Sequence, residues 1–410
     1  MSLPEIALEP LEPGGRTSGR SSAAGPVLQP FAGIRFAESD YAKQSLLLST
    51  SGEEATDSDV EILKRRDPRS ILHLSWAQEQ GLVQDQLRQW IAEGVLFADR
   101  TPQHYIYEYR VAGQLVRGVI GALDLRASDV DRRVLPHEGL VESALDGFCR
   151  RVDEGRLDVE PVLLVQAFGD SVRGAVRAVT AAPPVLELFG PQDEYHRLWA
   201  VSDPGLHYLL TSGLSEVPAL LADGHHRYAA HKCGPERPHG PGRVLAMVID
   251  AQDAALALGP IHRIVPDLAP ESVSDLLHRR GWSGSVETLV CSAATAEASF
   301  LLDPEAVFLL GGGNYWHLVG GEDQNPDVVQ AHSRLFPLLD VVSSELEYRH
   351  AWESAVELAA VTGGTAVILK GMSFDEVLAV AQSDLTLPEK ATSFSPKPQL
   401  AMVLCNLAAL

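Results

Sequence analysis

Apolar and polar positions alternate in short, heavily punctuated runs along most of the chain, a pattern that predicts many strands interleaved with helices. The strongest local signal is a hairpin, in which Tyr105–Val111 and Leu115–Leu125 read as strands separated by Ala112, Gly113 and Gln114. The tyrosines of the first run fit sheet packing better than a base-stacking platform. Further strands are expected at Phe31–Phe36, Pro161–Ala167, Val185–Phe189, Arg197–Val201, Val217–Ala222, Val244–Asp250 and Ile261–Val265. Helices are expected at Asp59–Arg66 and at Ala77–Glu93, where Leu82, Leu87, Trp90 and Ile91 roughly share one face.

Beyond about residue 267 the pattern turns into helix-strand alternation. It predicts helices at Ser272–Arg280, Val328–Leu346, Trp352–Ala360 and Ser373–Ala381, and strands at Val307–Leu310, Tyr315–Val319 and Thr365–Lys370. Gly311, Gly312 and Gly313 are followed by no Lys-Ser/Thr pair, so a hairpin turn explains them better than a phosphate loop. Residues 1–28 are rich in Pro, Gly and Ser and read as a disordered leader, and Ser49–Asp59 reads as a second flexible stretch. The expected organisation is a leader over 1–28, a mixed α+β domain over 29–267 and a C-terminal α/β lobe over 268–410.

Composition narrows the partners. The 410 residues are 45% hydrophobic, enough for a large core, and carry a net charge of −22, which repels nucleic acid and anionic membrane over most of the surface. The basic runs Lys64-Arg65-Arg66 and Arg132-Arg133 are too short to overturn that expectation. Cys149, Cys233, Cys291 and Cys405 lie far apart without Cys-x-x-Cys spacing, which predicts neither a zinc knuckle nor a disulfide framework. No apolar run reaches membrane-spanning length and no export-type leader is recognisable, so a cytoplasmic protein is expected.

Candidate chemistry concentrates in Asp223-Gly224-His225-His226-Arg227, with His231 one turn further on. The apolar run before it and the Ala-rich segment after it predict a strand-to-helix turn. Backbone N–H groups at a helix start, the positive end of its dipole and Arg227 together suit a phosphate, while Asp223 suits Mg²⁺ or a proton. A purely structural use is also open, with Asp223 as N-cap, the histidines closing a buried helix end and Arg227 in an ion pair. Zinc ligation by His225, His226 and His231, giving a metal-dependent hydrolase, is a weaker alternative, because adjacent helical histidines cannot both face one metal.

The box Ala222-Asp223-Gly224-His225-His226-Arg227-Tyr228 resembles the hallmark of the prokaryotic family known as domain of unknown function 1015. Similar segments run from Pro30 to Arg35, Gly118 to Leu125, Pro136-His137-Glu138, His196-Arg197-Leu198-Trp199, Ile261-His262-Arg263-Ile264 and Leu387 to Thr392. The box is also similar to that of free serine kinases built on the ParB/sulfiredoxin-type fold. This resemblance implies a mixed-sheet ParB/sulfiredoxin-like, nucleotide-binding core over 29–267, with ATP or ADP and Mg²⁺ as cofactors. It implies phosphate contacts from Gly224, His225, His226, Arg227 and His137, a metal or proton role for Asp223, and catalytic roles for Asp223, His225 and Glu138. The function so implied is phosphoryl transfer from a nucleotide to a small hydroxyl compound such as serine. The non-enzymatic alternative is a nucleotide- or phosphometabolite-binding regulator without turnover. Two departures suggest either a changed substrate or lost catalysis: Ser45–Asp59 lacks the Ala-Pro-Pro-Tyr-Asp segment usual in the family, and Gly139–Gly147 lacks its threonine, lysine and Asp-Arg pair.

Overall fold

The computed structural model describes residues 25–37, 57–75, 82–126, 133–191, 193–232, 242–252, 256–321, 325–383 and 385–409. Most of the leader expected over 1–28, most of the stretches Ser45–Asp59 and Ser49–Asp59, the Ala77–Gly81 start of one helix, Arg132 and Cys233 lie outside these residues. The chain forms two compact units, one from Ser21–Ala257 with Pro396–Leu410 and one with Leu258–Ser395. The last segment of the chain therefore returns to the larger unit.

The larger unit is built on a nine-stranded mixed sheet. Its strands in chain order are β1 (Leu28–Gln29), β2 (His104–Val111), β3 (Gln114–Asp124), β4 (Val134–Leu135), β5 (Val162–Gln166), β6 (Leu186–Phe189), β7 (Tyr195–Val201), β8 (Ala219–Asp223) and β9 (Arg243–Asp250). They lie in the order β4-β8-β5-β9-β3-β2-β7-β6, with β1 paired to β3. Only β4 with β8 and β5 with β9 run parallel. All five residues of β5 and the last seven of β9 are buried, as expected of strands covered on both faces. The helices of this unit include α1 (Glu142–Gly155), α2 (Asp170–Thr180), α3 (Pro204–Leu214) and α4 (His225–Lys232). On α2, Val172, Ala175, Val176 and Val179 recur at helical spacing and pack into the core with Val162, Leu164 and Val248.

The hairpin forms as its pattern predicts, with Val111 opposite Gln114 and Ala112 and Gly113 both at positive φ, 51° and 79°. That is the backbone of a tight two-residue turn, which suits glycine and strains alanine. The opening strand is shorter than its sequence suggests: Ile34–Phe36 pairs with Leu96–Ala98, while Phe31 makes only a bridge to Gln103.

The smaller unit carries a six-stranded sheet made of His262–Val265, Val286–Val290, Ala306–Gly312, Tyr315–Gly320, Glu347–Arg349 and Thr365–Leu369, with every pairing antiparallel. Gly312 pairs with Tyr315, so the glycine run ends in the expected hairpin turn. The single helix expected over Val328–Leu346 is instead broken into Asp327–Gln330, a π-turn over Ala331–Leu335, Phe336–Leu339 and a 3₁₀ turn at Ser343–Glu345. Pro337 inside the run and Asp340 at φ 58° account for the interruptions. Arg263, fully buried, donates to the carbonyls of Ile261, Glu389 and Lys390, and so joins the Ile261 strand entry to the Glu389-Lys390 segment.

Replacing Ala112 by Gly removes the positive-φ strain and should stabilise the larger unit by about 1 kcal/mol, read as a higher denaturation midpoint; an unchanged or lower midpoint contradicts the turn assignment. Burial pushes His104, His137, His262 and His332 down to about 4. The unfolded chain therefore binds protons near pH 6.5 that the folded one refuses. Stability should be fullest above pH 6.5 and fall toward pH 4, by roughly 1.4 kcal/mol per pH unit per histidine. Melting temperatures across pH 7.5 to 4.5 check this, and a flat profile refutes it.

Candidate functional site

β8 enters the site as a fully buried apolar strand, Ala219 to Ala222, and Asp223 is its first polar residue. Its pairing with β5 shifts between Leu221 and Asp223, so one extra residue is inserted at the strand's end, a device that re-aims the following side chain. Gly224 then turns at φ +89°. A Cβ there would lie 2.9 Å from the Arg227 guanidinium and 3.0 Å from Val162, so both backbone and space demand glycine. The polypeptide continues directly into α4, whose Tyr228 N–H closes the first turn onto the Gly224 carbonyl.

Asp223 is the centre of a charge cluster. Its Oδ2 accepts from Arg227 at 2.7 Å and its Oδ1 from Lys397 at 2.7 Å, with all three side chains mostly buried. Arg227 also pairs with Glu160. Neither Lys397 nor Glu160 stands out in the sequence, because each is brought in from a distant segment. Lys397 lies 174 positions from Asp223 and arrives on the tail that rejoins the larger unit. Glu160 belongs to the extended segment that starts at Leu157–Asp158, and this segment takes Arg227 and His231, one turn apart on α4.

A second cluster adjoins the first. His225 is 5% exposed, and its Nδ1 lies 3.4 Å from Glu138 Oε1. Its Nε2 is buried and has no hydrogen-bond partner among the described residues. His137 stands edge-on beside it, with ring centroids 4.6 Å apart, and is held by the backbone of Leu221. Burial holds His225 well below the usual histidine range, and the neighbouring His137, His226 and Lys397 push it further down. The ring is therefore neutral near pH 7. A proton on Nδ1 facing the carboxylate leaves the Nε2 lone pair bare, an arrangement assigned from its neighbours. A buried polar atom without a partner is costly, on the order of 1–3 kcal/mol, and such atoms mark places where a ligand completes the bonding.

The structure thus brings Asp223, Gly224, His225, Arg227, His137 and Glu138 together, but sends the other two histidines elsewhere. His226 Nε2 accepts the Val141 N–H at the start of α1 at 2.9 Å, and its ring stacks on Phe148. His231 Nε2 bonds Asp158 at 2.9 Å, and Asp158 in turn accepts the Leu245 N–H of β9. Both dock α4 onto its surroundings, so His225, His226 and His231 do not converge on one metal position. Among the described residues no group of three or more His, Cys, Asp or Glu is arranged to hold a metal ion. Among the same residues, no helix is long and apolar enough to cross a membrane.

A separate cleft of about 350 Å³, lined by Phe168, Arg117, Arg173 and Asp250 among others, lies at the other end of β5, since Asp250 pairs with Gln166 and Asp223 with Leu163. Two of its three arginines are matched by acids, Arg117 by Glu108 at 2.7 Å and Arg173 by Asp250 at 2.6 Å.

Solved structures similar to this chain include a conserved hypothetical protein from Pyrococcus furiosus, at 17% identity and TM-score 0.40, with 72% of this chain and 97% of that one covered. A free serine kinase variant in complex with ADP matches at 18% identity and TM-score 0.39, covering 70% and 92%. SbnI with a C-terminal truncation, from Staphylococcus aureus, matches at 12% identity and TM-score 0.40, covering 69% and 87%. No curated protein matches the chain. The model of the family described as "Protein of unknown function (DUF1015)" matches residues 28–342, which span the sheet, the box and much of the smaller unit, and the chain belongs to that family.

Proposed function

We propose that this protein is a nucleotide-dependent phosphotransferase that acts on a small hydroxyl compound, with a free hydroxy amino acid such as serine as the leading acceptor class. The observation that carries this reading is the buried, unpartnered Nε2 of His225, at the head of α4 and two residues from Asp223 in its charge cluster with Arg227 and Lys397. Phosphoryl transfer asks little covalent chemistry of a protein: it needs fixed positive charge for the phosphates and a base for the acceptor hydroxyl. Arg227 and the N-terminal turn of α4 supply the first.

Glu138 and His225 supply the second. The Glu138 carboxylate orients the ring by facing Nδ1, which leaves Nε2 as the acceptor that can hold the hydroxyl hydrogen while the carboxylate serves as the base. His137, fully buried against the His225 ring, acts as a support that keeps that ring neutral and in place. The nucleotide, when bound, supplies the phosphoryl group, and Gly224 gives it close approach to the backbone. The residues present suit nucleotide phosphates better than a protein-built metal site. Both Asp223 oxygens already accept from cations, so Asp223 acts as the anchor that fixes Arg227.

A regulatory protein that binds nucleotide without turnover is the second reading. It is favoured by the composition of Gly139–Gly147, which carries no lysine or arginine beside Glu138.

Purified full-length protein, given Mg²⁺, ATP or ADP and a panel of hydroxy amino acids, should form a phosphorylated product. Glu138→Gln should lower turnover by about 10² or more while nucleotide affinity stays within a few fold, because the base acts only on the acceptor. Absence of turnover with every acceptor, together with no nucleotide binding by calorimetry, refutes the proposal. Nucleotide affinity that falls on Arg227→Ala, with no product from the unmutated protein, selects the regulatory reading instead.

A further inference from the structure

We infer that Lys397 is a ligand-binding residue of the box: it is delivered from the far end of the chain to contact the anionic part of the ligand beside Arg227. This rests on the nucleotide-phosphate reading of the site and adds to it a residue outside the box and its flanking motifs.

The first support is how Lys397 is held. It lies between Pro396 and Pro398, whose rings restrict the backbone on both sides. The Pro396 carbonyl accepts the Tyr109 hydroxyl at 2.7 Å, and the Gln399 N–H donates to the Tyr107 hydroxyl at 3.2 Å. These two tyrosines stack at 4.9 Å on β2, and Tyr107 is bonded in turn to His196 at 2.7 Å, which is paired with Glu194 at 2.9 Å. The peptide is thus pinned on either side of one lysine. Such preorganisation fixes where the ammonium sits, and it raises affinity when the side chain must also meet a ligand.

The second support is charge. Asp223 already has Arg227, which is anchored by Glu160 as well. Two carboxylates, Asp223 and Glu160, therefore face two cations, and Lys397 is the one that matches the second acid. Bound phosphate changes that balance, because its charge gives both cations a partner. Burial and the Asp223 charge also push the Tyr109 hydroxyl up, so the tail's anchor stays a neutral donor.

The third is residue choice. The chain holds 33 basic residues, of which six are lysines and 27 arginines, and no lysine lies between Lys64 and Lys232. At this position the chain uses the compact ammonium, whose flexible stem lets it move between Asp223 and a phosphate oxygen while Arg227 stays forked between Asp223 and Glu160.

Calorimetric titration of the full chain with ADP and with adenosine tests the inference, comparing wild type, Lys397→Met and Lys397→Arg. ADP affinity should fall tenfold or more in Lys397→Met and recover in large part in Lys397→Arg, while adenosine affinity stays unchanged in both. Equal ADP affinity in wild type and Lys397→Met overturns the role of Lys397 and leaves the nucleotide reading standing; a wild type that binds no ADP overturns both. Should Lys397→Met fail to fold, amine labelling of the unmutated protein reads the same contact. ADP should slow modification of Lys397 several-fold where adenosine does not, and an ADP-independent labelling rate overturns the inference.

Discussion

Asp223 is the last residue of a strand whose other four members are buried and apolar, and its carboxylate would be an isolated charge there were it not for Arg227 and Lys397. Pairing it fixes three things at once. Arg227, one turn into α4, sets where that helix begins; Lys397 sets where the tail crosses the larger unit; and the register shift before Asp223 with the positive φ of Gly224 turns the carboxylate toward both. Removing one partner would leave a desolvated charge short of its match, a far larger cost than losing a surface ion pair.

The same turn positions the neutral chemistry. His225 is the first residue of α4, so the constraint that orders Asp223 also brings its ring against His137 and Glu138. Further along α4, His226 accepts the Val141 N–H at the start of α1, and His231 bonds Asp158 and through it β9. One short helix therefore separates its residues by turn, with the proposed binding chemistry at its head and docking contacts along its sides. Three histidines that look equivalent in a sequence have three distinct sets of partners.

Local pattern makes much of this legible. The hairpin, the buried strands Val162–Gln166 and Arg243–Asp250, and the strand-to-helix turn at Asp223 are encoded by neighbours in the sequence, and they appear within a residue or two of expectation. The box itself is visible because so many ionisable side chains follow an apolar run. Glu160 and Lys397 are not, since each looks like an ordinary exposed residue until the fold carries it to Arg227 or Asp223. For His226 the place in the motif says nothing of the Val141 N–H that its ring accepts. The broken helix over Val328–Leu346 is likewise hidden, because a single proline and a positive-φ aspartate interrupt an otherwise helical pattern.

The central claim is that the head of α4 is a phosphate site held ready by a paired carboxylate. A crystal structure of the full chain grown with ADP tests it most directly. ADP phosphate density is expected within hydrogen-bond distance of Arg227 and of the backbone N–H groups that open α4. Phosphate density in the cleft of Arg117 and Arg173, or ordered ADP anywhere else while Arg227 and Lys397 stay closed on Asp223, would contradict it.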